Sequence, residues 1–285
     1  MAHAQIAPKA APQTQASSKA SAVTIDINDK CPRHCIFCYN AINRPLNRTM
    51  SLSQFSRILD SLPQAKRVEI GGGEPLLHRD LVKMMNLCFS EGREVNISTG
   101  AHIWKQSMIT AARAHPELFS MQVNLPAGSA EAFKQMTGRD DFEKVLSNIS
   151  RFAKEFPKKL CIVFTACREN MPQLSSVAEI ARSLKLPLDI GIYIPVKGSN
   201  ATPLLPEEIF SISVFSAAQR AAGIGVYSPH VVKNGKIVCP VISQHYESDF
   251  QSGFCPAQSG DTIYFDAGGN AKACEFQSKV MFRQE

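Results

Sequence analysis

Residues 67–99 read RVEIGGGEPLLHRDLVKMMNLCFSEGREVNIST, and this stretch indicates the fold class. A strand pattern covers Arg67–Gly71, a helical pattern covers Asp80–Ser90, and a second strand pattern covers Glu94–Thr99. Two strands joined by a helix predict parallel pairing, because a parallel connection needs a crossover that returns to the same edge of the sheet.

The same alternation extends over residues 22–222. The other predicted strands are Ala22–Ile27, Phe119–Leu125, Leu160–Ala166 and Leu188–Pro195. The other predicted helices are Ser51–Ser61 with Ser51 as its N-cap, Ser107–His115, Ala130–Met136, Asp141–Phe156, Gln173–Leu184 and Pro206–Ala222. About two hundred residues are too few for eight strand–helix units. We therefore predict an α/β fold, a partial (β/α)6 barrel with functional residues at the carboxyl ends of its strands.

The two ends of the chain differ from this central region. Residues 1–21 are rich in Ala, Gln, Ser and Pro, which predicts a disordered tail; a transit peptide is the alternative. Residues 223–285 have little helical periodicity and contain a predicted hairpin with strands at Thr262–Phe265 and Ala271–Cys274. We expect three parts: tail, barrel and small appendage.

The composition excludes several classes of protein. Of the 285 residues, 44% are hydrophobic and 20% are charged, which is typical of a folded domain. No apolar run reaches the length of about 18 residues that a membrane-spanning helix needs. The net charge of +6 comes from scattered Lys and Arg, a weak signal for nucleic-acid binding. No secretory signal opens the chain, so we expect a cytoplasmic protein with no disulfide framework, in which the tightly spaced members of its nine cysteines hold metal.

Three of those cysteines follow the first strand in the sequence Cys31-Pro-Arg-His-Cys35-Ile-Phe-Cys38. Three thiolates in one short loop can bind three irons of a four-iron cluster and leave the fourth iron open. Zinc or free thiols are the alternatives, but structural zinc requires four ligands and no fourth cysteine lies nearby.

The second strand ends in Gly71-Gly72-Gly73-Glu74-Pro75. Glycines expose backbone groups to a close ligand because no Cβ blocks the approach, and the Glu74 carboxylate can hold an ammonium group. A plain turn is the alternative for this motif in isolation. Two adjacent strand ends of this kind favour a binding site.

The cysteine trio, with Phe37 before its last member, and the Gly72-Gly73-Glu74-Pro75 turn together resemble the radical S-adenosylmethionine (radical SAM) enzymes. The resemblance covers residues 22–222. It implies S-adenosylmethionine held by Glu74 and the glycine backbone, an electron donor such as flavodoxin or ferredoxin, and a 5′-deoxyadenosyl radical that removes a substrate hydrogen. Three further residues are expected at the cofactor: Ser98 in a family-like strand end, Asn124 at the ribose, and Ile192 beside adenine.

Cys255 and Cys274 with the hairpin between them resemble the SPASM or shorter twitch extension, which holds auxiliary iron–sulfur clusters. We expect one auxiliary cluster on Cys239, Cys255 and Cys274. Cys167, at the end of the fifth strand, could supply its fourth ligand or give a hydrogen atom to a substrate radical. A buried thiol that only packs is the alternative.

The resemblance favours modification of a peptide, such as crosslinking, epimerisation or oxidation, or of a small natural product. A radical dehydrogenase or rearrangement enzyme acting on a sugar-like or nucleotide molecule is the second hypothesis. A non-catalytic iron–sulfur carrier belongs to another class, and Glu74 argues against it because a carrier needs no clamp for methionine. We expect no nucleic-acid or membrane partner.

Overall fold

The computed structural model describes residues 19–227, 256–276 and 281–283. Most of the predicted tail and the predicted cluster ligands Cys239 and Cys255 lie outside these ranges. Within them, no helix combines the length and the apolar character needed to cross a membrane.

Helices and strands alternate along the chain. The helices are α1 (Leu52–Asp60), α2 (Leu81–Ser90), α3 (Gln106–Ala114), α4 (Ala130–Thr137), α5 (Phe142–Glu155), α6 (Leu174–Ser183), α7 (Pro206–Ala221) and α8 (Pro256–Ser259). The strands are β1 (Ala22–Asn28), β2 (Arg67–Gly72), β3 (Glu94–Thr99), β4 (Phe119–Asn124), β5 (Leu160–Ala166), β6 (Leu188–Ile192), β7 (Val226–Tyr227), β8 (Thr262–Phe265), β9 (Asn270–Lys272) and β10 (Phe282–Arg283).

The ten strands of the described residues form one sheet in the order β10-β9-β8-β1-β2-β3-β4-β5-β6-β7. Strands β1 to β7 pair in chain order and all pairs are parallel. Six of these strands are the predicted ones, each followed by a helix, so the predicted α/β class with a parallel sheet is confirmed. The carboxyl ends of the strands therefore lie along the same edge of the sheet, as the site prediction requires.

The two faces of the sheet differ in polarity. In β3, β4 and β5, every second residue is buried and apolar or nearly so, for example Val95, Val123 and Phe164. The residues between them are half-buried and mostly polar, such as Ser98 and Asn124. This alternation follows from the two-residue period of a strand, and it separates a core face from a face that can line a cavity.

Local sequence signals set the helix ends where they were predicted. The Ser51 hydroxyl accepts a hydrogen bond from the Gln54 amide at 3.2 Å, and the Gln54 side chain accepts one from the Ser51 amide at 2.9 Å. This reciprocal capping box satisfies two backbone donors at the start of α1. The prediction of Ser51 as N-cap is confirmed.

Two strand predictions extended too far. β6 ends at Ile192 rather than Pro195, because its pairing with β5 ends at Ala166. The returning strand of the hairpin ends at Lys272 and does not reach Cys274, because its partner β8 supplies only Tyr264 and Phe265 to the ladder.

The C-terminal hairpin is part of the main sheet. β8 pairs in parallel with β1, with Ala22 opposite Thr262 and Ile25 opposite Phe265. The sequence predicted the hairpin itself but not this pairing, since a parallel pairing across more than two hundred residues leaves no local pattern. The hairpin therefore lies directly beside the strand that leads into the cysteine loop.

Arg93 lies between α2 and β3, and its buried side chain connects this segment to the end of α1 and the turn that follows. Its residue is 5% exposed, and its guanidinium donates to the carbonyl oxygens of Leu59, Leu62 and Ala65 at 2.8–3.1 Å. Its Nε also donates to the Glu91 carboxylate at 2.7 Å. These bonds connect the segment before β3 to the end of α1 and the turn after it, where the Leu59 and Leu62 carbonyls also accept from the Leu62 and Ala65 amides.

We expect Arg93→Ala to lower the free energy of unfolding by about 3 kcal/mol, because four hydrogen bonds from a buried guanidinium are lost and the Glu91 carboxylate loses its cationic partner. Urea unfolding followed by circular dichroism measures the change. Arg67→Ala is the matched control. Arg67 is 67% exposed in its side chain and lies 3.6 Å from Glu94, so its loss should cost less than about 1 kcal/mol. Equal losses in the two variants would contradict the structural role of Arg93.

Candidate functional site

One cavity of about 240 Å³ lies at the carboxyl ends of the parallel strands, against the cysteine loop. It brings together every cluster and cofactor residue predicted between positions 22 and 222. These are Cys31, Cys35, Phe37, Cys38, Gly72, Gly73, Glu74, Ser98, Asn124 and Ile192. Residues more than 150 positions apart in the chain thus share one cavity.

The cysteine loop is anchored to neighbouring elements by its backbone. The His34 amide donates to the Thr137 carbonyl at 2.9 Å and the Ile36 amide to the Met136 carbonyl at 3.1 Å, both at the end of α4. The Asn200 amide donates to the Ile36 carbonyl at 2.7 Å. These bonds leave the cysteine side chains to line the cavity.

Burial raises the pKa of all three thiols, to about 12 for Cys35. Within the described part of the chain, no three Cys, His, Asp or Glu side chains converge closely enough to hold one metal ion. Zinc would require each sulfur within about 2.3 Å of one centre. Three thiolates that line one cavity fit a group with several metal atoms, each bound by one thiolate.

The glycine turn packs against the start of the cysteine loop. Gly72 has a φ of 114°, and a Cβ on Gly73 would lie 2.2 Å from the Lys30 carbonyl oxygen. The Gly73 and Glu74 amides donate to the carbonyls of Asn28 and Lys30, each at 2.7 Å. Because Gly72 and Gly73 have no side chains, the loop backbone can approach the turn as closely as a ligand can. The sequence motif alone did not indicate this role of the glycines.

The Glu74 side chain is buried and held by the end of β3. Its Oε1 accepts hydrogen bonds from the Thr99 hydroxyl at 2.8 Å and the Leu76 amide at 3.1 Å. Its Oε2 accepts one from the Gly100 amide at 3.0 Å. Burial raises the pKa of Glu74, and these three donors act against that rise. A carboxylate oxygen has room for about two donors, so Oε2 can accept one more from a ligand.

The remaining predicted residues line the far wall of the cavity. The Asn124 amide donates to the Thr165 hydroxyl at 3.1 Å, which directs the polar ends of β4 and β5 towards each other. Ile192 and Ile194, at the end of β6, are each 3% exposed. Apart from Val163 in β5, this wall is polar at β3 to β5, and it is apolar at β6.

Cys167 is not among the residues that line this cavity. It is completely buried, its thiol donates to the Asn170 side chain at 3.5 Å, and burial raises its pKa to about 12. Cys274 is half-buried after β9, and Phe276, two residues on, lines the cavity. The hairpin therefore reaches the site, although its other two predicted ligands lie outside the described residues.

Several cavity residues were not predicted from the sequence. Arg33 and Arg44 flank the cysteines, and Thr99 holds Glu74. Thr99 could have been found, because it ends the strand next to the glycine turn. The two arginines carry no local signal, because cations in loops are usually exposed.

Asp26 is a buried carboxyl group behind the cysteine loop. It accepts hydrogen bonds from the Tyr39 hydroxyl at 2.9 Å and the Tyr264 hydroxyl at 2.6 Å. Burial raises the pKa of Asp26 to about 7, and the two tyrosine hydroxyls oppose that rise. Tyr39 also accepts a hydrogen bond from the Gly72 amide at 3.3 Å, so this group connects β1, β8 and the glycine turn.

Comparison with known proteins identifies relatives of this arrangement. A sequence model described as the Radical SAM superfamily matches residues 25–173. The chain is 24% identical over 166 residues to the PqqA peptide cyclase of Rhodopseudomonas palustris, covering 57% of this chain and 44% of that protein. It is 24% identical over 177 residues to the probable GTP 3',8-cyclase of Methanocaldococcus jannaschii, covering 61% of this chain and 59% of that protein. The chain thus spans about half the length of these relatives.

The fold also resembles a solved structure, that of Streptococcus suis SuiB bound to the precursor peptide SuiA. The TM-score is 0.75, with 94% of this chain and 62% of that chain covered. At 16% sequence identity, this similarity shows a shared fold.

The protonated Asp26 leads to a pH-dependent stability. Between about pH 4 and pH 7 the folded protein keeps a proton on Asp26 that the unfolded chain has lost, because the folded pKa is about 7 and the ordinary value is 3.8. The contribution of Asp26 to stability therefore falls as the pH rises through this range, by up to about 1.4 kcal/mol per pH unit.

We expect Asp26→Asn to remove this contribution, so the variant should gain stability relative to the natural protein as the pH rises from 4 to 7. Urea unfolding at several pH values measures the difference. Parallel pH profiles for the two proteins would show that Asp26 has an ordinary pKa.

Proposed function

The chain belongs to the radical SAM superfamily, and on that premise we propose that it cleaves S-adenosylmethionine reductively in order to modify a peptide. When bound to a four-iron cluster and reduced by one electron, S-adenosylmethionine supplies a 5′-deoxyadenosyl radical that can remove a substrate hydrogen atom. The observation that carries this proposal is the single cavity shared by the cysteine trio, Glu74 and the ends of β3 to β6.

The residues of this cavity have chemistry that fits both a four-iron cluster and S-adenosylmethionine. Cys31, Cys35 and Cys38 would each bind one iron and leave the fourth iron for the cofactor. The free capacity of Glu74 Oε2 would accept an ammonium N–H. The Gly73 carbonyl, which accepts no hydrogen bond from the described residues, would accept another.

The opposite wall would hold the nucleoside part of the cofactor. Ser98 and Asn124 line it with polar atoms that can bind a ribose, since an amide side chain both donates and accepts. Ile192 would pack against adenine, and Phe37 would cover the cluster from the loop. Val163, Ile194 and Phe276 make the remaining lining apolar, which would help exclude water from a radical.

One sequence relative and one structure of similar fold support a peptide as the substrate. One is named a peptide cyclase, and the similar solved structure contains a precursor peptide. Modification of a nucleotide or another small molecule is the second candidate, supported by the similarity to the probable GTP 3',8-cyclase over 61% of this chain. A one-electron donor such as flavodoxin or ferredoxin would supply the electron in either case.

We further propose a division into a tail at 1–21, a catalytic barrel at 22–222 and an auxiliary-cluster region at 223–285, with a cluster on Cys239, Cys255 and Cys274. The position of Phe276 supports this, because it brings the chain just after Cys274 to the cavity. A cluster there could accept an electron from the substrate. Cys167 remains a predicted fourth ligand or hydrogen donor, and its complete burial favours the packing role instead.

We expect Cys35→Ala to abolish formation of 5′-deoxyadenosine and to lower the iron content from about eight to about four atoms per chain. Anaerobic incubation of the reduced protein with S-adenosylmethionine, followed by chromatography, measures the first effect. Cys88→Ala is the matched control, because Cys88 is buried on α2 and does not line the cavity. A natural protein that loads iron but forms no 5′-deoxyadenosine, even with candidate peptides, would support the iron–sulfur carrier instead.

We expect Cys255→Ala to lower the iron content to about four atoms per chain while leaving cleavage of S-adenosylmethionine intact. Modification of a candidate peptide, followed by mass spectrometry, should stop in this variant. An unchanged iron content would refute the auxiliary cluster without affecting the assignment of the cysteine trio.

A further inference from the structure

Arg33 lies inside the cysteine loop, and its side chain is buried at the cavity wall. The side chain is 3% exposed, and it lines the same cavity as the three thiols. Its guanidinium packs against the Gly100 backbone, where a Cβ would come within 2.4 Å of Arg33 Nη1. The loop therefore places a permanent positive charge beside the cysteines.

This guanidinium has unused hydrogen-bonding capacity. Arg33 Nε and Nη2 are buried and have no hydrogen-bond partner in the described structure. The contacts that partly compensate are the Asp141 carboxylate, 3.8 Å from Nη2, and the Phe133 ring, 5.0 Å from the guanidinium carbon. His102 adds no negative charge, and burial lowers its pKa to about 4.

Arg93 provides an internal comparison. It is buried to a similar degree, yet it donates to three carbonyls and one carboxylate. A buried charged group without such partners is costly, so a protein keeps one where a ligand or a function compensates the cost. Arg33 thus differs from Arg93 in its free donors. Two of its buried nitrogen atoms, Nε and Nη2, have no partner in the described structure and can donate to a ligand.

The charge of Arg33 favours an anionic ligand. A four-iron cluster on three thiolates carries a net charge of about −1, and one-electron reduction makes it more negative. The only cavity carboxylate in the described structure, Glu74, already accepts hydrogen bonds from Thr99, Leu76 and Gly100. The charge of Arg33 acts on both Glu74 and Cys35, because it opposes the rise in the pKa of each group. Its Nε and Nη2 donors have no partner in the described structure, so they remain available to the group that the cysteines hold.

We propose that Arg33 is a positioning residue for electron transfer, stabilising the negative charge that the cysteine-bound cluster gains when a one-electron donor reduces it. The electron moves from the donor to the cluster, and Arg33 itself is neither oxidised nor deprotonated. This inference rests on the proposed function, because it requires a cluster on Cys31, Cys35 and Cys38. It predicts a higher reduction potential than the same cluster would have without Arg33.

The test is a redox titration of the anaerobically reconstituted protein with dithionite, followed by electron paramagnetic resonance. Arg33→Gln should lower the equilibrium constant for electron uptake about tenfold, which is 59 mV for one electron. Arg33→Lys keeps the charge and should retain most of the potential. Lys30→Gln is the matched control, because Lys30 adjoins Cys31 but is exposed, so solvent should screen its charge.

Asp141→Asn gives a second, independent test with the opposite sign. This change removes the carboxylate that partly neutralises Arg33, so the potential should rise. It does not depend on whether Arg33→Gln assembles its cluster, because Asp141 does not line the cavity.

Three results would overturn the inference. One is an unchanged potential in Arg33→Gln at full iron content. Another is weaker binding of S-adenosylmethionine at an unchanged potential, which would assign Arg33 to the cofactor's carboxylate. The third is an unchanged or lower potential in Asp141→Asn. A natural protein without any reducible cluster would instead overturn the proposed function, and the iron measurement distinguishes that case.

Discussion

The close backbone contact between the glycine turn and the start of the cysteine loop is the constraint on which the site depends. The Gly73 and Glu74 amides donate to the Asn28 and Lys30 carbonyls at 2.7 Å, and no Cβ fits between the two segments. This contact sets the distance between the cysteines and the carboxylate of Glu74. Because Glu74 is also held by Thr99 and Gly100, the ends of β1, β2 and β3 form one rigid unit.

Buried charges are used in two ways around this unit. Arg93 donates four hydrogen bonds and joins α1 to the sheet, so its charge serves the fold. Arg33 and Asp26 lie near the cavity. Arg33 makes no hydrogen bonds from Nε or Nη2 in the described structure, and Asp26 has a raised pKa. Groups whose charge is costly tend to occur at functional sites, because only a ligand or a reaction compensates that cost.

The pairing of β8 with β1 gives the C-terminal hairpin a direct connection to the site. Tyr264 of β8 hydrogen-bonds Asp26, and Arg48 contacts both Asp29 and Asp266 at 2.7 and 3.2 Å. A hairpin held in this way places Phe276 at the cavity wall. A substitution in this hairpin would therefore affect the cavity through side-chain contacts rather than through the covalent backbone.

Local patterns were enough to predict the alternation of strands and helices, the Ser51 cap and the two motifs at Cys31–Cys38 and Gly72–Pro75. Such features depend on neighbouring residues and on the periods of strand and helix, which are visible along the chain. The membership of Arg33 and Phe276 in the cavity, the pairing of β8 with β1 and the burial of Asp26 were not predictable in this way. They arise from packing between segments far apart in sequence, where desolvation and close approach, rather than local pattern, select the arrangement.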